Sequence, residues 1–236
     1  MGRNDAADPW RDVELAACTR TFLRRRTWLN PDLRLIEWEG RLAVAKDWAS
    51  APLVLRLYGR WCLGREWRLL RRIEGLGGVP RPLARRRDAI VLSFCAGVPL
   101  SGRMAGDLPA GFFDDLDRLV AAIHARGVVH LDLRQRRNIL LGEDGRPRLL
   151  DFGAGVDVGR WGRLGRIGLG WLERVDRLAL LKLKGKYAPQ RLSAEERRRA
   201  RRAQRAGWLW PPNWLHFVKT RVRRLLRGRD GRTPQE

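Results

Sequence analysis

Lysine, cysteine and long apolar runs are scarce in this 236-residue chain. The three cysteines, Cys18, Cys62 and Cys95, are odd in number and far apart, which excludes a disulfide framework or a cysteine zinc site and implies a reducing compartment. No window approaches the roughly 20 apolar residues that cross a bilayer. The first thirty residues hold no apolar run suited to a signal peptide. Acidic residues are few as well: 26 Asp and Glu stand against 49 Lys and Arg, a net charge of +23 at pH 7. A surplus this large attracts polyanions, whether nucleic acid, anionic lipid head groups or phosphorylated glycans. A genome rich in G and C explains arginine in place of lysine, but not the excess of cations over acids.

The most informative stretch is Gly127 to Gly153, G-V-V-H-L-D-L-R-Q-R-R-N-I-L-L-G-E-D-G-R-P-R-L-L-D-F-G. It reads as a polar loop bounded by short apolar strands at Ile139–Leu141 and Arg148–Leu150. Glu143-Asp144-Gly145 between them is a hairpin turn signal. Such a hairpin brings Asp132, Asn138 and Asp151 towards one another. Two carboxylates and an amide oxygen suit a hard cation that takes oxygen ligands, Mg²⁺ above all.

These residues resemble the protein-kinase-like superfamily, in which H-x-D, a following asparagine and D-F-G occur in this order. The resemblance implies that Asp132 is the catalytic base, that Asn138 and Asp151 are metal ligands, and that His130 is the structural histidine of the loop. Five residues separate Asp132 from Asn138 where the usual pattern has four. Counted back from the D-F-G, Asn138 is in its normal place, so the extra residue lies inside the loop and the position of Arg134 is the one it unsettles. Arg134 stands where many kinases carry a lysine facing the transferred phosphate.

Upstream, 27–38 and 41–48 alternate apolar and polar residues around Glu39-Gly40 and read as a hairpin. Its second arm, R-L-A-V-A-K-D-W, is close to the V-A-I-K strand of kinases, which implies that Lys46 pairs with the nucleotide's phosphates. Lys46 is the only lysine before Lys182, in a chain that otherwise uses arginine. A compact ammonium is not interchangeable with a guanidinium at a crowded phosphate site. The helix expected over 57–73 carries Glu66 at the spacing of the kinase ion pair, with Glu74 as a rival. Its apolar residues Trp61, Leu63, Trp67, Leu70 and Ile73 fall on helical spacing. No G-x-G-x-x-G precedes Lys46, so the familiar lid over the phosphates is absent or replaced by the Glu39-Gly40 turn.

Two more strands are expected at 79–83 and 89–94, then a hinge at 96–100. An amphipathic helix follows over 109–126, on which His124 reads as a packing or capping residue. After Asp151 the Gly- and Arg-rich run to Gly170 reads as a mobile loop. A helix over 172–184 carries Asp176, either as a buried brace for the catalytic loop or as a surface residue. No A-P-E follows. From Ser193 a capped, strongly basic helix begins. Beyond it, Trp208 to Arg227 interleaves tryptophans with arginines, either as an anchor at an anionic membrane or as a helix packed on the protein.

The expected fold is therefore α+β: a two-lobed protein-kinase-like architecture with a β-rich lobe over 1–94 and a helical lobe over 95–236, basic and amphipathic from about residue 193. The resemblance covers about Leu33 to Lys184. Brevity, basicity and the missing A-P-E resemble the compact bacterial lipopolysaccharide kinases of the Kdo and core-heptose type. The function implied is ATP- and Mg²⁺-dependent phosphoryl transfer to a hydroxyl; the sequence leaves the acceptor open, with a lipopolysaccharide sugar or other glycolipid as one candidate. Its residues are Lys46 and Glu66 for the nucleotide, Asn138 and Asp151 for metal, and Asp132 and Arg134 for catalysis. The alternatives are a Ser/Thr protein kinase and a weakly active, pseudokinase-like module that binds nucleotide or nucleic acid. The expected location is the cytoplasm, at the inner face of a membrane if the basic tail binds anionic lipid.

Overall fold

The computed structural model describes residues 10, 13–28, 30–159 and 162–206. They fall into two compact units, Met1–Pro189 and Gln190–Glu236.

The first unit begins with an antiparallel sheet of β1 (Thr19–Arg24), β2 (Asp32–Trp38), β3 (Arg41–Asp47), β4 (Pro82–Arg85) and β5 (Ala89–Ser93), in the order β1-β2-β3-β5-β4. The β2–β3 hairpin closes with Trp38 opposite Arg41, so Glu39 and Gly40 alone make the turn, both at positive φ. Two such residues fit a type I′ turn, whose twist matches that of the strands. The β1–β2 connection over 25–31 contains no glycine, so neither it nor this turn carries a glycine-rich lid.

Alternation along β3 places Ala43 and Ala45 on the sheet face covered by Trp10 and Leu15. Lys46 projects from the other face, towards α1 (Leu53–Arg72). On α1 the buried side is Leu63, Glu66, Leu69 and Leu70, a repeat of three and four residues. Trp61 is 58% exposed, against the expectation that it shares the apolar face. At 100° per residue it lies about 200° round the helix from Leu63.

The helical part follows a short strand β6 (Val98–Pro99), with α2 (Phe112–Ala125) burying Phe112, Phe113, Leu116, Val120 and Ile123. Next come β7 (Val128–Val129), β8 (Ile139–Leu141), β9 (Pro147–Leu149) and β10 (Val156–Asp157). β6, β8 and β9 form a three-stranded sheet, and β10 pairs with β7. Gly97, at φ +150, lets the chain enter β6 against β8, since a Cβ there would lie 2.7 Å from the Leu141 carbonyl oxygen.

α3 (Gly162–Tyr187) is a single helix of 26 residues. The run expected as a mobile loop to Gly170 is thus helical from Gly162 onward. Leu164, Ile167, Trp171, Val175, Ala179 and Leu183 recur at helical spacing in the sequence, and this stripe outweighs the local cost of the glycines. Val175, Ala179, Leu180 and Leu183 are buried. Among the described residues no helix is long and apolar enough to cross a membrane.

In the second unit, α4 (Ala194–Ala206) starts with a capping box. Ser193 Oγ accepts the Glu196 N–H at 3.1 Å, and Glu196 Oε2 accepts the Ser193 N–H at 2.7 Å. The segment Trp208 to Arg227 lies outside the described residues.

Candidate active site

Lys46 is the centre of a buried charge cluster. Its Nζ donates to Glu66 Oε1 at 2.6 Å and to Asp151 Oδ1 at 2.9 Å. Lys46 and Glu66 are 9% and 4% exposed, whereas the side chain of Asp151 is 45% exposed. Burial by itself would lower the Lys46 ammonium, but the charges of Asp151 and Glu66 outweigh it and hold Lys46 above its ordinary value. Lys46 in turn is the main cause that holds the Asp151 carboxyl well below its usual range, against burial. Burial pushes Glu66 up from its ordinary value, with Lys46 pulling the other way. We place the proton of the 2.6 Å contact on Lys46, which serves two carboxylates at once. Glu74, the rival for this role, instead pairs with Arg71 at the surface at 2.9 Å.

Asp151 reaches Lys46 because its backbone is left-handed, at φ 62 and ψ 73. Only two other described non-glycine residues have positive φ, Glu39 and Leu131. Leu131 sits in the loop beside Asp132, so two of these three strained positions flank the candidate site.

That strain is held by buried hydrogen bonds. Asp176 of α3 is fully buried, and its carboxylate accepts the N–H groups of His130 at 2.8 Å and Leu131 at 2.9 Å. His124 Nε2 lies 3.0 Å from the same carboxylate. The structure thus chooses the bracing role for Asp176, and gives buried His124 a partner. His130 Nδ1 accepts the Asp132 N–H at 3.3 Å, which leaves Nε2 to donate to the Leu150 carbonyl at 2.9 Å. Its ring packs 4.7 Å from that of Phe152.

Asn138 is buried beside Asp132. Its Nδ2 donates to the Asp132 main-chain oxygen at 3.2 Å and to Asp132 Oδ2 at 3.1 Å. The Asn138 carbonyl accepts the Leu150 N–H at 2.8 Å, which ties the loop to the residue before Asp151. Sequence reading missed two contributors. Arg65 of α1 donates to the Gly153 carbonyl, fixing the D-F-G turn to the helix that carries Glu66. Gln135 donates to Asp132 Oδ2 at 2.5 Å. Its only sequence signal is that it interrupts a run of arginines.

Arg134 is exposed, and it lies close enough to Lys182 of α3 that its charge, after burial, lowers the Lys182 ammonium. The structure therefore gathers Lys46, Glu66 and Asp151 into one cluster and Asp132 and Asn138 into an adjoining one, and sets Arg134 towards α3.

The residues present suit Mg²⁺. With its Nδ2 engaged on Asp132, Asn138 has its amide oxygen left for a cation, and Asp151 offers a half-exposed carboxylate. Among the described residues no group of three or more His, Cys, Asp or Glu could hold a metal alone. Mg²⁺ has no need of one, since it is usually bound by one or two protein oxygens together with water and substrate phosphates.

The chain has a protein-kinase-like fold. Its structure is similar to that of the Rio2 kinase from Chaetomium thermophilum, with a TM-score of 0.54 and 19% sequence identity over 73% of this chain and 59% of that one. Residues 55–160 match the RIO domain, a protein-kinase-like family. A segment of 52 residues, 22% of this chain, is 40% identical to the serine/threonine-protein kinase kin-29 of Caenorhabditis briggsae, of which it covers 6%. The chain thus spans under two thirds of the length of either relative.

Proposed function

We propose that this protein transfers the γ-phosphoryl group of ATP, with Mg²⁺, to a hydroxyl of a protein substrate. The observation that carries the reading is the Lys46–Glu66–Asp151 cluster set against the paired Asp132 and Asn138. Lys46, held as an ammonium by its two carboxylates, binds the phosphates of the nucleotide. Glu66 fixes its position, and Arg65 keeps α1 and the D-F-G turn in register. Asp151 and Asn138 hold the metal, which when bound offsets phosphate charge. Asp132 accepts the proton of the attacking hydroxyl and orients it.

The Ser/Thr protein kinase alternative fits the RIO domain match and the nematode kinase better than a lipopolysaccharide sugar does. From Phe152 to the start of α3 there are only ten residues, so the chain has little of the activation segment on which ordinary protein kinases seat a peptide.

The test is transfer of labelled phosphate from ATP by the purified protein, with and without Mg²⁺, to panels of proteins and glycolipids. Mg²⁺-dependent labelling of Ser or Thr supports the proposal. Labelling of a sugar alone returns the acceptor to the glycolipid, and no transfer to anything sinks both.

A further inference from the structure

The loop between Asp132 and Asn138 is one residue longer than the pattern it resembles, and the added length is taken up by two turns in series. The Gln135 N–H donates to the Asp132 carbonyl at 3.2 Å, and the Asn138 N–H donates to the Gln135 carbonyl at 2.8 Å. Asn138 is thereby returned to Asp132, and Gln135 stands at the junction of the two turns with its side chain over the carboxylate. Gln135 Nε2 lies 2.5 Å from Asp132 Oδ2, the oxygen that Asn138 Nδ2 also reaches at 3.1 Å. The other end of the amide is fixed too, because Arg137 Nε donates to Gln135 Oε1 at 3.0 Å. A guanidinium only donates and a carboxylate only accepts, so the chain Arg137–Gln135–Asp132 permits one orientation of the amide. Asp132 Oδ1 has no hydrogen bond among the described residues, so the two oxygens of this carboxylate are made unlike.

We propose that Gln135, held by Arg137, is a positioning residue that fixes the Asp132 carboxylate with Oδ1 presented to the acceptor hydroxyl. The proposal rests on Asp132 being the base of the reaction proposed above. A carboxylate turns easily about its terminal torsion, which is broad and roughly two-fold. Asn138 alone makes one contact to it. The second donor adds a charge-assisted hydrogen bond on the same oxygen, and with it the orientation that a near-attack geometry needs. The extra loop residue is on this account a working part of the site.

Both Gln135 and Arg137 are exposed, so their replacement leaves the core untouched. Gln135→Ala is expected to lower kcat about five- to tenfold, the scale of one ordinary hydrogen bond, with KM for ATP unchanged. Gln135→Glu is isosteric and distinguishes the possibilities. If Gln135 matters only for size or loop shape, the Glu variant behaves like wild type; if it acts as a donor to Asp132, a second carboxylate repels the first and Glu is slower than Ala. Arg137→Ala is expected to move kcat in the same direction by less. Glu and Ala variants both within twofold of wild type would overturn the proposal while leaving the kinase reading intact. Wild-type protein without any ATP-dependent transfer would overturn that reading, and the role of Gln135 with it. A measurement independent of turnover is the side-chain amide resonance of Gln135, assigned by its loss in Gln135→Ala. It should collapse to the position of a free glutamine amide in Asp132→Ala, and an unmoved signal rejects the contact.

Discussion

Lys46 Nζ lies 2.9 Å from Asp151 Oδ1, a contact between a strand of the first sheet and a turn 105 residues further along the chain. It joins the group that binds phosphate to the group that binds metal, and it brings one cation to two carboxylates.

Asp151→Asn is expected to abolish phosphoryl transfer while leaving the fold intact, because it keeps volume and removes the charge that binds the cation. Labelled-phosphate transfer across a Mg²⁺ series, with circular dichroism of the variant, checks both halves. Normal activity with normal Mg²⁺ dependence would remove Asp151 from the metal site.

Lys46→Arg is expected to lower the rate at least about tenfold, a barrier change of about 1.4 kcal/mol. A guanidinium fork is broader than the compact ammonium that contacts both Glu66 and Asp151, so it cannot repeat the same two contacts. An unchanged rate constant would mean that the buried cluster is structural only.

Asp176→Ala should destabilise the fold strongly, by about 3 kcal/mol or more, since the N–H groups of His130 and Leu131 and the Nε2 of His124 would all lose a buried partner. Urea unfolding reads this directly. A midpoint close to that of wild type would mean that water or another group replaces the carboxylate.

The pH dependence follows from the directions of the shifts. Asp151 is held below its ordinary value by Lys46, so its contribution to stability is present above the unfolded carboxyl value of about 3.9 and is lost as pH falls through the lower folded value. Glu66 is shifted upward by burial, so its protonation relieves part of that loss. Lys46 is raised, and its contribution is complete below about 10.4 and lost as pH rises through the folded value. The stability advantage of wild type over Asp151→Asn should therefore be constant between about pH 5 and about pH 10 and shrink below about pH 4. A gap that widens on acidification would contradict the pairing.

A last prediction concerns the basic tail. Lys219, Arg221, Arg223, Arg224 and Arg227 stand among Trp, Leu, Phe and Val, and each cation near an anionic bilayer contributes about 1 kcal/mol. The protein is expected to sediment with anionic but not neutral vesicles, to be released by salt, and to lose this binding when truncated after Gly207. Retention of RNA in place of vesicles, with a steep salt dependence, would assign the charge to nucleic acid.

The order of the chemical groups could be read from the sequence: the β2–β3 hairpin, the lysine on its second arm, and the H-x-D, asparagine and D-F-G elements around a second hairpin. These are local matters, set by alternation, turn residues and spacing along a short stretch of chain. The faces of α1 and α2 were legible for the same reason, apart from Trp61, which shares a helix with the apolar stripe without sharing its side. Tertiary structure decided what depends on groups far apart in the chain. Glu66 and Glu74 are both acids near the end of α1, and only packing against the sheet buries one on Lys46 and leaves the other at the surface. Asp176 could brace or be solvated until α3 packed against α2 and the loop placed three donors around it. Glycines made 162–170 read as loop, because propensity is local, whereas the apolar stripe that keeps it helical continues into Val175 and Leu183, where the helix is buried. Gln135 gave no sign of its place over Asp132, since two successive turns and a partner in Arg137 set the direction of its amide.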